Sequence, residues 1–152
     1  MSDSTFLKFE VEGKASPSGS KKGFINRKTG RVMMVDTAKG KDNWQAWVRL
    51  KATTAANLAG FKPSRKPFYL EVHFYFARPK SHYGSGKNAD KLKPDAPLGH
   101  IQKPDATKLM RCTEDALKEI LWFDDSQVID QRARKHWAKR DYVEITIAEL
   151  GG

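Results

Sequence analysis

The sequence predicts an α+β domain, with helices packed on a mainly antiparallel, mixed sheet. Residues 5–12 and 142–147 alternate apolar and polar side chains, and residues 68–77 are apolar enough on both faces to lie inside a sheet. Two segments of helical periodicity stand between these strands, so strands and helices are interspersed without repeating. At 152 residues the chain fits one domain, spanning 1–152, and 39% hydrophobic residues suffice for a packed core.

The first strand, TFLKFEVE, points Leu7, Phe9 and Val11 one way and Lys8 and Glu10 the other. Residues 13–22, GKASPSGSKK, read as a loop, either solvated or with its lysines along a phosphate backbone. Phe24–Ile25 and Arg31–Val35 flank the turn signal NRKTG, which predicts a hairpin. Asp36 and Thr37 are acceptable caps for a helix from about Lys39 to Asn57. There Trp44, Trp47, Val48, Ala52 and Ala55 recur at helical spacing, so both tryptophans are expected in the core. In the central strand Leu70, Val72, Phe74 and Phe76 line one face, and His73 on the other is expected as a hydrogen-bonded sheet residue.

Residues 78–102 form a long loop carrying Lys87, Lys91 and Lys93; its length and charge suggest a flap that orders on a substrate. A helix then starts near Pro104 or Asp105, as proline suits the first turn and a carboxylate the positive end. Leu109, Cys112, Ala116, Leu117 and Ile120 make its buried stripe, while Lys108, Arg111 and Asp115 share a neighbouring face. WFDDS at 122–126 is a turn, 127–137 a basic strand with Arg132, Arg134 and Lys135, and 142–147 the closing strand.

Charge narrows the class of partner. A formal net charge of +10 suits a polyanion, nucleic acid first and an acidic membrane surface second. No apolar run approaches the roughly 20 residues of a membrane span. MSDSTFLKFE shows no secretion signal, and the single cysteine excludes an internal disulfide or a cysteine-rich zinc site. RNP-type aromatic motifs and an amphipathic basic membrane helix are also missing, which places RNA and membrane binding well behind DNA.

Gly99–Asp130 concentrates the chemistry. Asp105 opens the helix, Asp124 and Asp125 follow it, and Lys103, Lys108, Arg111, Arg132 and Arg134 surround them in sequence. Hard carboxylate oxygens are what Mg²⁺ takes, and cations receive phosphates, so the set suits phosphodiester hydrolysis. The competing reading is a capped helix, a solvated acidic turn and exposed salt bridges of little energetic weight. A straight helix would hold Asp105 and Asp125 roughly 25 Å apart. The chain must therefore fold back along the helix, or a second subunit must contribute.

KPDATKLMRCTEDAL followed by WFDDSQV and a basic strand resembles the RusA family of Holliday junction resolvases and their phage relatives. The close match runs from about Lys103 to Val128. The resemblance implies a Mg²⁺-dependent endonuclease, with Mn²⁺ as a substitute, acting as a cytoplasmic homodimer on branched double-stranded DNA. It places the family's first essential aspartate on Asp105, the completing acid on Asp125 beside Asp124, and the helix cation on Arg111. The implied metal ligands are Asp105, Asp124, Asp125 and Thr107, and the implied DNA contacts are Lys103, Lys108, Arg132, Arg134, Lys135, Lys87 and Lys91. Thr107 departs from the pattern, which has a second aspartate there. Either fewer carboxylates serve, or Asp90, Asp95, Asp115 or Asp124 fills in, or only DNA binding is left.

Overall fold

In the computed structural model, residues 6–18, 21–25, 28–36 and 40–151 are described, with only the backbone at 21–25 and 32–36. Strand β1 (Phe6–Glu12) leads to the hairpin β2 (Lys21–Ile25) and β3 (Val32–Asp36), then helix α1 (Lys41–Ala59) and strand β4 (Phe68–Ala77). Helix α2 (Ala106–Leu117) and strands β5 (Val128–Ala138) and β6 (Tyr142–Glu149) follow. The main sheet runs β1-β6-β4-β5; β1/β6 and β6/β4 are antiparallel, whereas β4/β5 is parallel. The α+β expectation therefore holds. The one parallel pair needs a long crossover, which the loop at 78–102 and α2 provide.

Alternation along the strands decides what the sheet buries. Leu7, Val11, Leu70, Val72, Phe74, Val143, Ile145 and Ile147 enter one core beneath the helices. From α1, Trp44, Val48, Ala52 and Ala56 join them at four-residue steps. Trp47 does not: it is 39% exposed and donates its indole N–H to the Glu12 carbonyl at 2.7 Å. Three residues from Trp44, it sits at the rim of a stripe that advances by fours. Ala55 is likewise only partly buried. Gly40 caps α1 instead of Asp36, which pairs with Lys21 in the hairpin; Thr37 lies outside the described residues.

Two expected loops are better anchored than their composition suggests. Ala15 and Ser18 are buried, and Ser18 N donates to the Lys108 carbonyl at 3.0 Å, which ties 14–18 to α2. The segment 78–102 is not a free flap. Gly84 N bonds the Lys91 carbonyl, Lys93 N the His82 carbonyl, Arg78 the Pro97 carbonyl and Trp137 Nε1 the Gly99 carbonyl, all at 2.8–3.0 Å.

Helix α2 stops at Leu117, earlier than its apolar pattern implies. Lys118 leaves the helical region with ψ 140°, Glu119 takes φ 72°, and Leu121 and Trp122 turn inward to full burial. Burying these two side chains outweighs the cost of a left-handed glutamate, of order 1 kcal/mol. The sharp turn folds the chain back along the helix.

Candidate active site

That fold-back brings Asp125 to α2. Its Oδ1 accepts the Trp122 indole N–H at 2.9 Å, and its charge acts on the neighbouring Asp115 and Glu114. Burial, then the Asp125 contact, raises the Asp115 pKa, while Lys41 and Arg111 pull it down. Glu114, next on the helix, is half-buried; burial, then Asp125, then Asp115 push it up to about 7. Crowded like charges in a partly dry setting do this, because each carboxylate disfavours ionisation of the others.

A groove of about 410 Å³ runs between α2 and β5. Thr107, Met110, Arg111 and Glu114 line its helix side at i, i+3, i+4 and i+7, and Gln131 and Ala133 its sheet side. Thr107 and Arg111 thus share one surface, as the sequence motif requires. Glu114 belongs to this surface too, although the sequence reading did not single it out. Its signal was there: seven residues after Thr107, it returns to the same helix face.

Asp105 caps the other end of α2, with its backbone carbonyl accepting from Leu109 N at 3.1 Å. Ten residues separate it from Asp115, a rise of roughly 15 Å. Among the described residues, no group of three or more His, Cys, Asp or Glu side chains is set to hold a metal ion. Within one subunit Asp125 acts on Asp115 and Glu114, while Asp105 lies at the opposite end of α2 from Asp115.

Asp124 has a different occupation. Its oxygens accept from Ser126 N at 3.5 Å and Ser126 Oγ at 2.9 Å, and it caps a short 3₁₀ turn at Asp125–Gln127. The Ser126 hydroxyl, then its N–H, holds this carboxyl below its usual range. Gln127 completes the turn. Its Oε1 accepts from Phe123 N and Asp124 N, and its Nε2 donates to the Ser64 and Lys66 carbonyls, all at 2.8–3.0 Å. In Asp-Asp-Ser-Gln-Val the first Asp and the Gln therefore build the turn that presents the second Asp.

The cations divide by strand parity. Arg132 and Arg134 sit opposite Glu71 and His73 on the sheet face turned away from α2, so they do not ring the carboxylates. Lys135, with the opposite parity, donates to the Gln102 and Pro104 carbonyls at 2.7 and 3.0 Å and fixes the entry to α2. Lys87 and Lys91 are exposed on the 78–102 segment, and Lys103 is exposed just before α2. Lys108 is half-buried, and its carbonyl bonds Ser18. On the outer face His73 has the hydrogen-bonded role expected of it: Nε2 meets Glu71 Oε2 at 2.5 Å and Nδ1 meets His136 Nε2 at 2.8 Å.

The groove lined by Arg111 and Glu114 thus runs along a helix that crosses between two parallel strands. Residues 14–148 match the model of the family described as endodeoxyribonuclease RusA, and the chain belongs to that family. It is also 30% identical over 146 residues to the "Uncharacterized protein YqaN" of Bacillus subtilis (strain 168), covering 95% of this chain and 96% of that protein. No helix among the described residues is long and apolar enough to cross a membrane.

Proposed function

We propose that this chain is a Mg²⁺-dependent endonuclease that resolves four-way or other branched DNA by paired nicks, acting as a homodimer. Family membership supports the nuclease activity. What supports the metal reading is the gathering of acids at this end of α2, where Asp125 raises the pKa of both Asp115 and Glu114. Mg²⁺ commonly takes one or two carboxylates, completed by waters and phosphate oxygens, so donors of this kind fit it. Asp125 and Asp115 would hold the ion. When bound, it supplies an activated water and neutralises charge on the phosphoryl oxygens.

The chain's own residues do the remaining work. The Trp122 indole N–H fixes the rotamer of Asp125. Arg111, in the groove, receives a phosphate oxygen with its planar fork of donors. Thr107 adds a neutral hydroxyl one turn earlier, where a ligand or a positioned water can use it. Asp105 is the acid that a single chain leaves apart, and its action belongs to the assembled dimer. A two-fold protein places two such centres on a two-fold junction and nicks opposing strands.

The test is a synthetic four-way junction incubated with Mg²⁺. Symmetric nicks are expected from the unaltered protein, and junction binding without nicks from Asp105→Asn and Asp125→Asn. No nicks at any Mg²⁺ or Mn²⁺ concentration would refute the enzyme. Thr107 favours a second reading, a branched-DNA-binding protein without cleavage. That reading predicts salt-sensitive junction binding with no metal-dependent cutting.

A further inference from the structure

A second pocket lies at the α2 entry, beside Lys103 and Pro104, and a buried histidine lines it. His100 is 8% exposed, and its Nδ1 has no hydrogen-bond partner among the described residues. An orphaned buried nitrogen is costly unless something completes it. The ring packs at a tilt against Trp137, with centroids 4.2 Å apart, and Phe76, at 4.6 Å, and all three rings line a cavity of about 220 Å³. Asp141 lines it too; its Oδ1 accepts from Ala77 N at 2.8 Å. The exposed side chains of Lys14 and Lys103 border the cavity and continue into an adjoining groove of about 440 Å³. Burial, then the Lys135 ammonium, lowers the His100 pKa against the opposing pull of nearby carbonyls, so the ring is neutral at pH 7.

We infer that this pocket takes one unstacked nucleotide of the DNA strand, a base among the three rings and its phosphates on Lys14 and Lys103. The inference rests on the DNA-binding reading above and adds a recognition site to it. Aromatic walls match the π-face of a base, and flanking lysines match the backbone charge. The volume is smaller than a drug-sized site of about 300 Å³ or more, which suits a single base. A carboxylate can only accept hydrogen bonds, so Asp141 favours an exocyclic amino group over thymine, whose one ring N–H lies between two carbonyls that a carboxylate repels. Lys103 lies two residues before Asp105, so a base held here sets the register of the strand leading to α2.

The experiment uses the whole protein in EDTA, where cleavage is silent. Affinity is measured for a labelled four-way junction, a short oligodeoxyadenylate, its oligothymidylate counterpart and the same backbone with abasic inner positions. The adenylate strand should bind about tenfold tighter than the abasic strand, with thymidylate weaker than adenylate. Asp141→Asn, which keeps an oxygen for Ala77 N but replaces the carboxylate with an amide, should erase the adenylate preference over thymidylate. Lys14→Ala should weaken every strand by a similar factor. Equal affinity for adenylate and abasic strands would overturn the inference, as would an Asp141→Asn protein that keeps its base preference. Neither result touches junction binding, whereas loss of the junction arm alone would sink the branched-DNA reading.

Discussion

Replacing Glu114 with glutamine tests whether the acids at the end of α2 form one electrostatic unit. Glu114 is held at about 7, against an ordinary 4.5, by burial and by the neighbouring Asp125 and Asp115. The folded state therefore takes up a proton that the unfolded chain releases. A carboxyl raised in this way favours folding below its unfolded value, and that contribution is lost as pH rises from about 4.5 through 7. Fully desolvated, such a displacement is worth roughly 3 kcal/mol. Glu114 is only half-buried, and solvent screening reduces this to about 1–2 kcal/mol. Glu114→Gln should thus be more stable than the unaltered protein by about 1–2 kcal/mol at pH 8 and no different at pH 4. For a domain of this size, thermal melts in EDTA would show roughly 3–6 °C at pH 8. Mg²⁺ should narrow the gap, because a bound cation relieves the same repulsion. Superimposable melts at pH 8 would refute the crowding of Glu114 against Asp115 and Asp125.

Three further outcomes are expected. Gln127→Ala removes four hydrogen bonds that hold the Asp124–Gln127 turn, and urea unfolding should show a loss of about 2–4 kcal/mol. Trp47→Ala, at the exposed rim of α1, should cost less than about 1 kcal/mol in the same assay, whereas Trp44→Ala should cost about 3 or more. His136 is held below its ordinary pKa by burial, then by His73 and Arg134, so its neutral form favours folding. That contribution is present above the unfolded value of about 6.5 and is lost as pH falls. His136→Phe should therefore flatten the acid side of the pH–stability curve below about 6.5, opposite in sign to Glu114, and an unchanged curve would exclude it.

Much of this molecule was legible in one dimension. Period-two alternation placed Leu70, Val72, Phe74 and Phe76 on one face of β4, and helical spacing placed Lys108, Arg111 and Asp115 along α2, because both periods are properties of the backbone. The motif from Lys103 to Val128 carried the family. Only the folded chain decided that α2 ends at Leu117, since the gain from burying Leu121 and Trp122 arises only once a core exists to receive them. The same turn set the charge of Asp125 to act on Asp115, gave Asp124 to Ser126, and brought Glu114 into play. Strand parity then sent Arg132 and Arg134 to the far face while Lys135 gripped the backbone beside Asp105. A sequence fixes which side chains share a face; which faces meet depends on where the chain turns, and burial energy summed over distant residues sets that.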